Sequence, residues 1–326
     1  MDFTLSADQE ALRDGVRAFC EGRLELAQLR RLEGSGFDAA LWFELAELGI
    51  FGLRSGESAD GVRPGLADAV LVFEALGRCL APGPLLYSHL AASLLPEAGT
   101  GKLVVTGIDL EGDLKVPLLL EHLSPADVVL VLRRDGVARI DARSIDACPI
   151  ESPLDPFTPI HRVTSLPMGE LVADAATAER LHLEGTALTA ALLLGIAEAT
   201  QALATRYALE RQQFDRPIGS FQAIKHLLAD CYVRQELARA SVYAAGVLLD
   251  EPDSPAARRA TAAAKLIAGE AAMKNSRACI QVHGGMGFTW ENPAHYFLKR
   301  TWVLENSFGT TARQAESLAA MITAEA

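Results

Sequence analysis

The chain has 326 residues, half of them hydrophobic and 22% charged, with a formal net charge of -12. That length supports substantial cores in two or three packed regions, and the composition is that of a globular protein rather than a disordered one. The acidic balance argues against nucleic acid as a main partner, because neutralising phosphates takes clustered Lys and Arg.

In chain order, the first part is expected to be helical. Ser6 caps a helix through Leu12, Val16 and Phe19, whose spacing of three or four marks one face. A second helix fits Phe37 to Leu48 and closes on Gly49. A third fits Leu66 to Leu76, ending at Gly77, and a fourth fits Leu85 to Leu95. The middle changes character. Leu103-Val104-Val105-Thr106, Val116 to Leu120 and Val128 to Leu132 are short branched runs, and Asp135-Gly136 before Val137 to Ile140 signals a hairpin. Prolines 149, 153, 156 and 159 follow, so a small sheet or barrel is expected. The last part is helical again. Leu188 to Tyr207, Phe221 to Val242, Pro255 to Val282 and a segment opened by Thr310 or Thr311 give long helices with short connections, which suit a four-helix bundle. The fold class is thus mainly α with a small central β domain: helices over 1–98, a reduced β region over 99–173 and a bundle over 174–326.

The N-terminus has no basic stretch followed by an apolar core. No window supplies the roughly 20 uninterrupted apolar residues of a membrane helix, so a cytoplasmic protein without a membrane span is expected. The five cysteines are scattered and form no C-x-x-C pair, and the histidines show no metal spacing; reduced thiols and no metal site are the expectation.

Three segments stand out, the first mostly structural and the other two carrying chemistry. Met1-Asp2-Phe3, Gln9, Leu12, Phe19, Leu41-Trp42 and Leu45-Ala46-Glu47-Leu48-Gly49 form a distinctive opening. Arg211-Gln212-Gln213-Phe214-Asp215-Arg216-Pro217-Ile218-Gly219-Ser220-Phe221-Gln222 joins two bundle helices. Its guanidinium offers planar, paired donors to a pyrophosphate, with an aromatic ring beside it. The plainer reading is a charged helix end that satisfies the helix dipole. Gln281-Val282-His283-Gly284-Gly285-Met286-Gly287-Phe288 pairs an amide side chain with adjacent glycines that let backbone amides approach a nucleotide. The plainer reading is a glycine C-cap, with His283 a packing residue.

Together these segments resemble the acyl-CoA dehydrogenases, flavoproteins that oxidise acyl-CoA thioesters. The second is similar to the family's R-x-x-F-G-x-x-[IL]-x-x-x-Q segment and the third to its Q-x-x-G-G-x-G-[FY]. The resemblance implies FAD as cofactor, bound through Arg211, Phe214, Gln281, Gly284 and Gly285 across a subunit boundary. It also implies an acyl-CoA substrate and, by family analogy, an electron-transferring flavoprotein as electron acceptor. The family's base is the glutamate of a [YF]-E-G-T segment. Here the aligned stretch is Ser307-Phe308-Gly309-Thr310, so Phe308 stands where the proton acceptor belongs and no catalytic residue is assigned. Loss of a positioned base costs about 10²–10⁴ in rate. Glu184 misses the alternative base position of some family members by one residue, and Glu305 lies three before Phe308; both read as solvated surface carboxylates. The T-E-x-x-x-G-S and W-I-[TS]-N segments that hold the flavin ring are absent, the only tryptophans being Trp42, Trp290 and Trp302.

The expectation is therefore a base-less subunit of a heteromeric, α2β2-like acyl-CoA dehydrogenase, whose partner is a second acyl-CoA dehydrogenase-like subunit carrying the glutamate. A homomeric enzyme using Glu184 or Glu305, and a non-catalytic assembly subunit, are the alternatives.

Overall fold

Residues 4–55, 64–110, 117–250 and 254–325 are described in this computed structural model. Met1-Asp2-Phe3 of the distinctive opening and Val116 of the second apolar run lie outside them.

Helix α1 (Ala7–Arg23) starts where the sequence places a cap: the Gln9 amide donates to the Ser6 hydroxyl and the Ser6 amide donates back to the Gln9 side chain. One turn, α2 (Leu26–Arg30), follows. In α3 (Ala39–Glu47), Asp38 accepts from the Leu41 amide at 2.8 Å, and Gly49 ends the helix at φ 82°.

Helix α4 (Leu66–Arg78) runs through Gly77 rather than stopping there. A Cβ on Gly77 would lie 2.1 Å from the Leu192 carbonyl oxygen, and one on Gly195 2.0 Å from that of Glu74. These glycines let two helices approach backbone to backbone, so Gly77 is a packing glycine and not a cap. The expected helix to Leu95 is shorter: α5 (Leu85–Ala91) is followed by one turn, α6 (Pro96–Gly99). Pro96 holds Leu95 extended, at φ -127° and ψ 92°, which interrupts the helix.

The middle region contains β1 (Val105–Leu110), β2 (Leu118–Glu121), β3 (Val128–Arg133), β4 (Gly136–Asp141), β5 (Ala147–Pro149), β6 (Ile160–Val163) and β7 (Glu170–Asp174). One sheet has the order β1-β3-β4-β7, with β1 and β3 parallel, and a second the order β2-β6-β5. The β3–β4 turn is Arg134-Asp135, since Arg133 pairs with Gly136. Gly136 sits at φ 145°, where an added Cβ would lie 2.3 Å from the Ala173 carbonyl oxygen. Leu120, Val129, Val131, Ala138, Ile140 and Val163 form the apolar centre of this region.

Next come α7 (Ala175–Glu210), α8 (Gln222–Leu248), α9 (Pro255–His283), α10 (Ala294–Asn306) and α11 (Thr311–Glu325). Helix α9 packs against α8, α10 and α11. Helix α10 is an addition to the sequence expectation: buried His295, Arg300 and Thr301 break its apolar pattern. An 18-residue window of α7 has mean hydropathy 1.5, enough in length and composition for a membrane span, yet 72% of it is buried inside the fold. It is apolar on most sides because it is a core helix.

The chain forms two compact units. One comprises Met1–Leu26, Val70–Ala81 and Thr186–Ala326; the other comprises Ala27–Ala69 and Pro82–Gly185. In the first, fully buried Glu74 accepts from the Tyr243 hydroxyl at 2.8 Å and pairs with Arg239, while Glu198 pairs with Arg17 at 3.0 Å. Burial raises the Glu74 carboxyl, and the coulombic pull of Arg239 opposes that rise.

Candidate cofactor-binding site

Helix α7 ends at Glu210, and the Arg211 amide still donates to the Tyr207 carbonyl at 2.8 Å. The chain then forms a minimal hairpin, β8 (Gln212–Gln213) with β9 (Arg216–Pro217). Phe214 and Asp215 are its two turn residues, at φ 53° and 59°. Two positive φ values in a two-residue loop are the type I′ pattern, which Asn-Gly favours. A phenylalanine there carries strain of roughly 1–2 kcal/mol. Its ring is 85% exposed, so burial does not repay that strain. Arg216 sits 4.1 Å over the Phe221 ring, and Phe214 meets Phe221 edge-on at 6.1 Å. The Arg211 guanidinium is exposed. Among the described residues it has neither a carboxylate partner nor a bond to the last carbonyls of α7.

At the end of α9, Gly284 takes φ 58° and ψ -137° and caps the helix, as the plainer reading of that glycine expects. A 3-10 turn, Gly284–Phe288, follows. Gly287 has an internal reason to be glycine: its Cβ would lie 2.7 Å from the Ile280 carbonyl oxygen. Gly285 has none. Its φ is ordinary, and a Cβ there would meet nothing within 4 Å. Its smallness faces outward, toward whatever approaches from outside the chain. A cleft of about 440 Å³ is lined by Arg277, Ile280, Gln281, Gly284, Gly285, Phe288 and Leu298. It brings Gln281, Gly284 and Gly285 together, while Arg211 and Phe214 stand outside its lining. Arg277 is the lining residue that motif reading misses.

His283 is a packing residue. Its Nδ1 lies 2.7 Å from the Cys279 carbonyl oxygen, and its ring stacks on Tyr207 at 4.2 Å. Burial pushes its imidazole down from the usual range. Tyr207 lies one turn before Arg211 and His283 directly before Gly284, so this stack brings the hairpin and the glycine turn to the same end of the bundle. Ala204, Ala208, Cys279, Ile280 and Val282 pack beneath them, with Ile218 and Ile224 alongside.

Phe308, where the motif resemblance expects the base, is closed in. Phe308 is 2% exposed at φ 53°, and its carbonyl accepts from Gln314 Nε2 at 2.9 Å. Lys265, fully buried, donates to the Gly309 carbonyl at 2.9 Å and to that of Glu305 at 3.3 Å; burial lowers its pKa to about 8. Neither of the two carboxylates weighed as a substitute base, Glu305 and Glu184, is a solvated surface group. Glu305 accepts from the Thr311 amide and hydroxyl, each at 2.7 Å, and so holds the start of α11. Glu184 is buried against Arg54, at 2.8 and 3.0 Å, with Arg180 at 3.6 Å.

These residues fit the phosphate-bearing half of a dinucleotide. Arg211 and Arg277 are uncompensated guanidiniums, Gly285 leaves room for close backbone approach, and Phe214 and Phe288 present exposed rings. The chain carries no matching cradle motif for the flavin ring.

Comparison with known proteins agrees. The acyl-CoA dehydrogenase N-terminal domain matches residues 6–103 and the C-terminal domain residues 175–323. Acyl-CoA dehydrogenase IpdE2 of Mycobacterium tuberculosis is 33% identical over 301 residues, covering 90% of each chain. Acyl-CoA dehydrogenase FadE34 of the same organism is 29% identical over 342 residues, covering 97% of this chain and 47% of that one. A chain of the ChsE4-ChsE5 complex from Mycobacterium tuberculosis superposes with a TM-score of 0.85 at 25% identity, covering 99% of each. Butyryl-CoA dehydrogenase from Megasphaera elsdenii shares the fold, with a TM-score of 0.82 at 21% identity over 99% of this chain and 100% of that one. Motifs, fold and relatives coincide: this chain belongs to the acyl-CoA dehydrogenase family of FAD-binding flavoprotein oxidoreductases.

Proposed function

We propose that this chain is the base-less subunit of a heteromeric enzyme that desaturates an acyl-CoA thioester between its α and β carbons. The observation that carries the reading is Phe308: a buried phenyl ring, with no proton acceptor, at the position of the family's catalytic glutamate. Bound FAD supplies the hydride acceptor for the β carbon. This chain's residues hold the cofactor's other end. Arg211 offers paired donors to the pyrophosphate, Phe214 packs on the dinucleotide, Gln281 gives and receives hydrogen bonds, and Gly284 and Gly285, without a Cβ, let the dinucleotide approach the backbone. A partner subunit provides the α-proton acceptor and the flavin-ring cradle, and an electron-transferring flavoprotein takes the electrons onward.

Two comparisons support a second polypeptide region. The ChsE4-ChsE5 structure is of a two-component complex, and this chain resembles one of its chains. In FadE34, more than half of the relative lies beyond the matched part. The homomeric alternative is weakened because Glu184 is taken up by Arg54 and Glu305 by Thr311. A pure scaffold has no use for a strained, exposed Phe214 beside an unpaired Arg211.

The test is Arg211→Ala in the complex with its partner. Loss of a charge-assisted contact worth about 1.5–3 kcal/mol weakens FAD binding about 10- to 100-fold. Unchanged flavin affinity contradicts the assignment.

A further inference from the structure

We infer that Arg277 is a further anion-binding residue of the glycine cleft and holds a cofactor phosphate there; this rests on the functional reading above. Within the cleft lining, Gln281 and the glycine amides are neutral, and Arg211 stands outside on the hairpin. Arg277 is the only charged side chain among the described lining residues. Positions 277 and 281 are four apart on α9 and so share a face. The two side chains line the cleft from successive turns and lead into the 3-10 turn at Gly284 and Gly285.

Two features combine at this arginine and at no other described cation of the cleft lining. The first is its lack of compensation in a chain of net charge -12. Three helical cations here pair at a four-residue spacing, Lys274 with Glu270, Arg234 with Asp230 and Arg180 with Glu184, whereas Arg206 and Lys225, outside the cleft lining, are unpaired among the described residues as Arg277 is. The neighbours of Arg277 at three and four residues are Met273, Lys274, Ile280 and Gln281, which include no acid. Among the described residues its guanidinium has no partner of any kind. The second is the wall it stands on. Ile280, Phe288 and Leu298 give the cleft an apolar part of its lining, and a low-dielectric wall strengthens the field of a nearby charge. A volume of about 440 Å³ also lies in the usual range for ligand sites. An anionic group flanked by an apolar ring suits this combination, as an adenine nucleotide presents.

The test titrates the FAD-stripped complex of both subunits with FAD, followed by quenching of flavin fluorescence. Arg277→Ala should raise Kd about tenfold or more, the size of a charge-assisted contact. Arg277→Lys should fall between, keeping the charge but losing the paired donors. The salt dependence of Kd should become shallower in Arg277→Ala. With ADP and adenosine as competitors, Arg277→Ala should weaken ADP and leave adenosine unchanged; equal weakening of both overturns the phosphate assignment. The exposed side chain has no internal partner, so the apo complex should melt as the wild type does. A lower melting temperature without FAD would make Arg277 structural and overturn the proposal. If Arg277→Ala keeps Kd within twofold while Arg211→Ala does not, Arg277 is no ligand and the cofactor reading stands. If both keep it, the cofactor reading falls too.

Discussion

Phe214 and Phe308 share a positive φ of 53°, which bulky L residues rarely adopt. Phe308 is compensated: its ring is buried and its carbonyl is tied by Gln314. Phe214 is not: its ring is exposed and repays none of the strain, so the proposed cofactor contact can be tested apart from stability. Replacing Phe214-Asp215 with Asn-Gly, the residues this turn favours, should stabilise the isolated chain by about 1–2 kcal/mol in urea denaturation. The same change should lower the flavin content of the complex. Greater stability with undiminished flavin would remove Phe214 from the site. Much at this scale was legible in the sequence. The proposed cofactor residues Arg211, Phe214, Gln281, Gly284 and Gly285 stand in patterned segments, and the motif resemblance sets Phe308 where the glutamate is expected. Arg277 was not legible, because a single arginine on an Ala-rich helix carries no pattern. Nor was the burial of Glu184, whose partner Arg54 lies 130 residues away.

Among elements, the contact of α4 with α7 depends on two glycines. Gly77→Ala places a Cβ against backbone that has no rotamer to shift, so a loss of about 3 kcal/mol or more is expected by thermal or urea melting. A change below about 1 kcal/mol would show that these helices are not held backbone to backbone. Helix α5 carries a pH response. Buried His89 has Nδ1 2.9 Å from the Ile50 carbonyl oxygen, and burial lowers its pKa to about 4 against an ordinary 6.5. The unfolded chain therefore binds a proton that the folded chain resists. The stabilisation is complete above pH 6.5 and is lost as pH falls toward 4, by roughly 2 kcal/mol at pH 5. His89→Gln should flatten that slope in urea denaturation; an unchanged slope assigns the acid sensitivity elsewhere. Helices with capping residues were legible because caps are local chemistry. Helix α10 was not, since its buried polar residues interrupt the period, and Gly77 reads as a stop only until the approaching backbone of α7 is known.

For the whole molecule, the order of helices, β region and bundle followed from motifs and periodicity. The discontinuous make-up of the compact units did not. Residues 1–26 and 70–81 join the C-terminal helices through long-range packing that local spacing does not encode. The same distinction governs function. On the proposed function, the phosphate-binding residues stand in local segments while the base and the flavin-ring cradle come from a second chain. The stoichiometry of flavin tests this most directly. Purified alone, the chain should be colourless and inactive on acyl-CoA thioesters; purified with its partner, the assembly should carry one FAD for each pair of unlike chains and turn over. A yellow, active protein obtained from this single chain would contradict the account.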